Sequence, residues 1–317
     1  MTPSSAPASV HFTEVGPRDG FQNLPRSLAT AVKLGVIRDL LATGVDRVEV
    51  TAFVSPAWVP QLADAETVCA ELGLGAFGER VRVLIPNRRG LERALAAGAR
   101  RAVVTIGVTD GFNRRNVNRA VRDSLAELAV LCDLAAGAGA QLDVSLSCAF
   151  GCPFEGRVDP DRVAQLACAC TEAGAQEIGI ADTIGVATPP AVARVLDRLE
   201  ARGLAVERLS LHLHDTRGLG LANALLAAQA GVRRFEGSVG GIGGCPFTPG
   251  ATGNVCSEDL LHLLASLGHP IAADLGRYLE VAAGLEAILG HRLPGHLHRS
   301  GLWNGSPLAD AAPVSGP

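Results

Sequence analysis

Two histidines separated by one residue, His212 and His214 in RLSLHLHD (208–215), are the sharpest chemical signal in this 317-residue chain. On a strand, residues i and i+2 point to the same face. Two imidazoles then project side by side, as two adjacent ligands of a metal ion or as a hydrogen-bonded structural pair. Asp19, in VGPRDGFQN, and Asn254 can add a carboxylate and an amide oxygen. Such a mixed N/O set favours Mg²⁺, Mn²⁺ or another borderline ion over a thiolate-bound zinc. Arg18, next to Asp19, reads as a plain ion pair or as a permanent cation that stabilises negative charge developing on an oxygen. Glu49 reads as a base, as a partner of these groups, or as a half-buried carboxylate paired with an arginine. Asp182 either orients a histidine or caps the turn that follows it.

A second signal is the segment GGIGGCPFTPGATGN (240–254), with six glycines and two prolines among fifteen residues. No helix or central strand tolerates that density, so the segment is a long shaped loop. Long loops inside compact domains are usually functional or disordered. Strand-like RRFEGSV before it and amphipathic SEDLLHLLASL after it argue against disorder. The loop carries one thiol, Cys245, and ends on Asn254. A thiol beside a cation-rich site can exchange protons near neutral pH.

These residues need elements that bring them together. A short β-rich run, a loop and an Ala/Leu-rich helical stretch recur every 30 to 40 residues or so. The strand candidates are 10–16, 47–53, 80–86, 101–108, 141–150, 177–183, 208–215 and 234–241. Five helical stretches end in a glycine-containing turn just before the next strand, at Gly44, Gly98, Gly139, Gly174 and Gly231. Glycine there suits the left-handed cap of a helix. Eight strands alternating with helices predict a parallel sheet closed into a (β/α)8 TIM barrel, with additional C-terminal helices over 257–299. A doubly wound open sheet is the alternative, but VGPRDGFQN after the first strand is not a GxGxxG fingerprint. In such a barrel the active site lies at the C-terminal ends of the strands. Arg18, Asp19 and Gln22 fall there after strand one, and Asp182 after strand six. His212 and His214 close strand seven, and the Cys245/Asn254 loop follows strand eight.

Composition sets the outer limits. Hydrophobic residues make up 48% of the chain and net charge is −4, enough apolar surface for a large core and too little positive charge for a nucleic-acid partner. The longest apolar runs stop well short of the ~18 residues that span a bilayer. Eight cysteines occur without a CxxC, which fits a cytoplasmic chain whose thiols mostly serve packing. The expected organisation is a disordered leader over 1–9, one barrel domain over 10–299 and a loose tail over 300–317.

With these residues assembled, the chain resembles the 3-hydroxy-3-methylglutaryl-CoA lyase family of metal-dependent TIM-barrel lyases. The resemblance covers about residues 10 to 295. It rests on EVGPRDGFQN (14–23), VEVTAFVSPAWVPQLAD (48–64), SCAFGCPFEGRV (147–158), ADTIGVATP (181–189), LHLHDTRGLGLAN (211–223) and SVGGIGGCPFTPGATGNVCSEDL (238–260). It implies a divalent ion, Mg²⁺ or Mn²⁺, held by Asp19, His212, His214 and Asn254. It implies that Arg18 stabilises an enolate oxygen, that Cys245 delivers a proton, and that Glu49, Gln22 and Asp182 support substrate and ligand groups. The implied reaction is retro-Claisen cleavage of a 3-hydroxyacyl-CoA, with Asp19 or His212 as the base. The implied assembly is a homodimer.

The chain departs from the usual pattern at Thr109-Asp110-Gly111-Phe112, at Arg217-Gly218-Leu219 and at Leu24-Pro25-Arg26. The cysteine pair region at the C-terminus of some animal members is missing as well. These changes flank the mouth and bear on the acyl group, not on the reaction class. Arg217 either binds a substrate carboxylate or pairs with an acid at the surface. Arg114, Arg115, Arg292 and His298 either meet the phosphates of coenzyme A or are solvated surface charges. Alternative readings are a lyase for citramalyl-CoA or a longer branched 3-hydroxyglutaryl-CoA, a condensing synthase such as an isopropylmalate or homocitrate synthase, and a metal-binding scaffold without turnover. The thiol loop argues against the synthase, and the intact polar set argues against the scaffold.

Overall fold

The computed structural model describes residues 8–244 and 253–303. Among them eight parallel strands close into a barrel in sequence order, β1 pairing with both β2 and β8. In chain order the elements are β1 (His11–Glu14), α1 (Thr30–Ala42), β2 (Arg47–Ala52), α2 (Ala65–Leu72), β3 (Val81–Ile85) and α3 (Arg88–Ala96). They continue with β4 (Arg101–Gly107), α4 (Asp110–Val117), α5 (Val121–Gly137), β5 (Gln141–Ser147), α6 (Pro160–Glu172), β6 (Ile178–Asp182) and α7 (Pro189–Glu200). The last are β7 (Leu209–Leu213), α8 (Gly220–Gln229), β8 (Arg234–Gly237), α9 (Ser257–Ser266), α10 (Leu275–Leu289) and α11 (Leu297–Ser300). The fold is the (β/α)8 barrel with C-terminal helices that the periodicity predicts. No described helix is long and apolar enough to cross a membrane.

The glycines that punctuate the helix ends adopt the conformation expected of them. Gly44, Gly98, Gly139, Gly174 and Gly231 all have positive φ, between 68° and 102°, where a side chain would be strained. Each ends a helix and turns the chain into the next strand.

Strand alternation separates two environments. Outward-facing Phe12, Val48, Val83, Val104, Val144, Ile180, Leu211 and Phe235 are buried against the helices and form the apolar core. The opposite face carries Arg47, Glu49, Arg82, Arg101, Asp143, Glu177, His212 and Glu236, all buried as well. A barrel interior is more often filled by branched apolar side chains. Here arginines and carboxylates neutralise one another along the barrel axis: Arg18 to Glu49, Glu49 to Arg82, Arg82 to Asp143, Asp143 to Arg101, and Arg101 to Glu177.

Candidate active site

The C-terminal mouth of the barrel is built first by a backbone device. After β1 the chain makes one wide turn of π-helix, Gly16–Gly20, entered through Pro17. Such turns are rare and recur at functional sites. This one places Arg18 and Asp19 at the rim. Beneath it lies Glu14, fully buried. One Glu14 oxygen accepts from the Gly16 and Val239 N–H groups at 2.6 and 3.0 Å. The other accepts from the Ser257 hydroxyl at 2.6 Å and from the Tyr278 hydroxyl. One carboxyl thus ties the turn after β1, the exit of β8, and helices α9 and α10. Burial pushes the Glu14 carboxyl up to about 7 despite these four donors.

A second device brings in Asn254. Residues 253–257 lie along the exits of β7 and β8. Asp215 N–H donates to Gly253 O at 2.9 Å, Val255 N–H to Leu213 O at 2.9 Å, and Ser238 N–H to Val255 O at 3.1 Å. His214 and Asn254 consequently face each other in an isolated β-bridge. The glycines around Asn254 permit this close approach. A Cβ on Gly243 would strike the Asn254 amide, and one on Gly253 would strike the Gly243 carbonyl.

Asp19, His212 and His214 then converge, all buried, with one ligand atom of each within 4.8 Å of the others. Asp19 Oδ1 accepts from Arg18 Nη1 at 2.6 Å and from Gln22 Nε2 at 3.1 Å. Its Oδ2 accepts from Asn254 Nδ2 at 2.8 Å and lies 4.0 Å from His212 Nε2. Burial alone would raise the Asp19 carboxyl, but Arg18 and the two histidines outweigh it and hold it below the usual carboxylate range. His212 meets Glu236 through Nδ1 at 3.1 Å, which turns Nε2 toward Asp19 and His214. Burial opposes charge on His212, yet Glu236 and Asp19 raise its pKa. Burial, followed by the neighbouring His212, lowers His214 to about 3.

The donor set fits a divalent ion. The two Nε2 atoms lie 3.2 Å apart, close to the separation of adjacent ligand atoms each about 2.1 Å from an octahedral ion. The Asn254 carbonyl oxygen is buried without a hydrogen-bond partner among the described residues, a costly state unless a cation engages it. Oxygen and imidazole ligands without a thiolate suit a borderline or hard ion.

Arg18 is fixed on both sides. Its Nε donates to Glu49 and its Nη1 to Asp19. Burial works against the cation, but these two carboxylates raise its pKa. Glu49 is fully buried and also receives Arg82 Nε at 2.6 Å. Each of its two oxygens is thus engaged by an arginine. Asp182 caps the turn after β6, its oxygens accepting from the Val186 and Ala187 N–H groups at 2.9 and 3.0 Å. Arg217 is exposed and donates Nη1 to the Ile184 and Gly185 carbonyls at 3.0 and 2.8 Å. Cys245 lies outside the described residues.

Thr109 caps α4, and Phe112 packs on Cys148 and Cys152. Arg115 lies over the Phe154 ring at 4.1 Å. His298 is neither a solvated charge nor open to a phosphate, because its side chain is 2% exposed between Glu258 and Glu286. Two residues escaped the sequence reading. Glu236 sets the His212 ring, and Arg82 joins Glu236 to Glu49 at 2.7 and 2.6 Å. The signal for both was present: alternation in RVRVLIP and RRFEGSV puts them on the face opposite Val81, Val83 and Phe235.

A model of the HMGL-like family matches residues 9–284. The chain belongs to the HMGL-like family. The hydroxymethylglutaryl-CoA lyase of Pseudomonas mevalonii is 41% identical over 282 residues, spanning 89% of this chain and 93% of that protein. The (R)-citramalyl-CoA lyase of Chloroflexus aurantiacus is 40% identical over 306 residues, spanning 92% and 95%. Among solved structures, a Bacillus subtilis HMG-CoA lyase superposes with a TM-score of 0.88 at 38% identity, covering 94% of this chain and 99% of that one. An HMG-CoA lyase from Acinetobacter baumannii, in complex with coenzyme A and 3-methylmalate, superposes with a TM-score of 0.89 at 35% identity, covering 95% and 98%. This member of the HMGL-like family is accordingly a carbon–carbon lyase with a possible metal site at Asp19, His212 and His214.

Proposed function

We propose that the chain cleaves 3-hydroxy-3-methylglutaryl-CoA to acetyl-CoA and acetoacetate, using Mg²⁺ or Mn²⁺ held by Asp19, His212, His214 and Asn254. The observation that carries this reading is the convergence of that mixed N/O set with a doubly anchored arginine at one barrel mouth. When bound, the ion supplies Lewis acidity that polarises substrate oxygens and lowers the pKa of the tertiary hydroxyl.

The residues supply the rest. Asp19 or His212 takes the hydroxyl proton. Glu236 holds His212 in one orientation by its 3.1 Å contact to Nδ1, so Nε2 stays aimed at the site. The hydroxyl becomes a ketone as the C2–C3 bond breaks, and the bonding pair moves onto the thioester as an enolate. Arg18, kept cationic by Glu49 and Asp19, offsets the charge on the enolate oxygen. Cys245 returns one proton to carbon, so the protons balance. Gln22 steadies Asp19, and Asp182 holds the turn beside the substrate. Arg217 offers its unspent N–H groups to the substrate carboxylate. Replacing it by alanine should raise KM about fivefold with kcat little changed; an unaltered KM removes it from the substrate site.

The similarity to a citramalyl-CoA lyase, together with the departures at 109–112 and 217–219, supports a second substrate reading, citramalyl-CoA. Parallel assays of acetyl-CoA release from both thioesters decide between them. Acetoacetate as co-product supports the first reading, and pyruvate the second. Release from neither by folded, metal-loaded protein overturns both.

A further inference from the structure

The barrel has a second mouth, at the N-terminal ends of the strands. There a cavity of about 380 Å³ is lined by His11, Arg47, Arg101, Glu177, Arg208 and Arg234, among others. Strand after strand enters the barrel on a polar residue: His11, Arg47, Arg101, Gln141 and Arg234 are the first residues of β1, β2, β4, β5 and β8.

The guanidinium of Arg47 is the unusual group. The residue is 3% exposed, yet among the described residues it makes no hydrogen bond or ion pair shorter than 3.3 Å. Its Nη1 reaches Glu177 at 3.3 and 3.5 Å and Thr13 at 3.5 Å, and its Nη2 faces His11 Nε2 at 3.4 Å. Its Nε has no hydrogen-bond partner among the described residues. A satisfied N–H···O bond is about 2.9 Å long. Elsewhere in the same interior Arg101 holds both Asp143 oxygens at 2.7 and 2.8 Å. A buried guanidinium left this loose is costly.

The other groups point the same way. His11 is kept neutral, its pKa lowered to about 3 by burial and then by Arg47 and Arg234. Since Arg47 donates to His11 Nε2, the ring proton sits on Nδ1, which is also buried and without a hydrogen-bond partner among the described residues. Both orphaned atoms, Arg47 Nε and His11 Nδ1, are donors. The Glu177 Oε2 atom is shared by Arg47, Arg101 and Arg234 at 3.3 to 3.4 Å. Asp143 is already taken by Arg101, and the remaining acids, Glu79 and Glu207, are exposed on the rim. Orphaned donors amid buried arginines call for an acceptor-rich anion rather than a cation.

We propose that this mouth is a binding site for a small oxyanion of the phosphate class, held by Arg47 and His11 and flanked by Arg208 and Arg234. It stands at the opposite end of the barrel from the lyase site and does not depend on the reaction assigned there.

The test is calorimetric titration of the full-length protein with inorganic phosphate at constant ionic strength, with and without saturating coenzyme A. The expected result is one saturable site whose affinity is unchanged by coenzyme A. Arg47→Gln should weaken it about tenfold, the loss of one charge-assisted bond. Arg208→Gln, at the rim, should weaken it about threefold and serves if the first variant does not fold. Absence of saturable binding overturns the proposal. So does phosphate binding that coenzyme A abolishes or that both variants retain in full. A crystal soaked in selenate should show an anomalous peak beside Arg47, and water alone in the cavity contradicts the site.

Discussion

The two mouths of the barrel are built from the same residue types and are left wanting ligands of opposite sign. At the C-terminal mouth two arginines are each shared between carboxylates: Arg82 meets Glu49 at 2.5 Å and Glu236 at 2.7 Å, and Arg18 meets Glu49 and Asp19. What remains unpaired includes an acceptor, the Asn254 carbonyl oxygen. At the N-terminal mouth three arginines share one Glu177 oxygen, and a donor is left over, Arg47 Nε. The sign of the ligand follows from which half of each hydrogen-bond pair is in surplus.

The sharpest break of this comparison is at Asp19. Asp19→Ala removes the carboxylate and should cost about a thousandfold in kcat, the several kcal/mol that metal polarisation provides. Steady-state assay across metal concentrations checks it. Next is Arg82, which links the site to the interior. Arg82→Met leaves Glu49 and Glu236 short of a buried partner and should destabilise the fold by about 3–5 kcal/mol, read by urea unfolding.

The Glu14 carboxyl beneath the site gives a pH signature. Its folded pKa, about 7, lies above the unfolded 4.5, so the native state binds this proton more tightly. That stabilisation is complete below about pH 4.5 and is lost as pH rises through about 7, a contribution of roughly 3 kcal/mol. Glu14→Gln accepts from Gly16 and Val239 and donates to Ser257 and Tyr278, mimicking the protonated acid. Its unfolding free energy should lack that decline between pH 4.5 and 7.5, and an unchanged slope would show that the four donors keep Glu14 ionised. The smallest of these effects is expected from Glu236→Gln, which loosens the His212 ring without removing a ligand. Mn²⁺ affinity should fall about 10- to 100-fold, and stability should fall by less than in Arg82→Met, because the amide oxygen still accepts from Arg82. Equal affinity would mean that Glu236 serves only the ion-pair chain.

Much of the upper mouth was legible in the sequence because its signals are local. The His212/His214 spacing, the Arg18-Asp19 step and the glycine-rich approach to Asn254 each occupy a few adjacent residues. The barrel was legible for the same reason, through repeating strands and five glycine caps. The charged interior was not read, although strand alternation places Arg82 and Glu236 inside. Their meaning lies in a contact between residues 154 apart, and no local pattern says which buried arginine finds which carboxylate. Arg47 was missed because its significance is an incomplete pairing, visible only once its neighbours are in place. Asp182 was read with two roles and Glu49 with three; the Val186 and Ala187 amides engage the first, and Arg18 and Arg82 the second.

The most direct test of the central claim is acetyl-CoA release from 3-hydroxy-3-methylglutaryl-CoA by chelated protein, by the same protein after Mg²⁺ or Mn²⁺ is restored, and by Arg18→Gln with metal. No release is expected without metal, recovery on its return, and a kcat lower by about 10²- to 10³-fold in the variant. Release that survives chelation, or an Arg18→Gln enzyme as fast as the wild type, would contradict it.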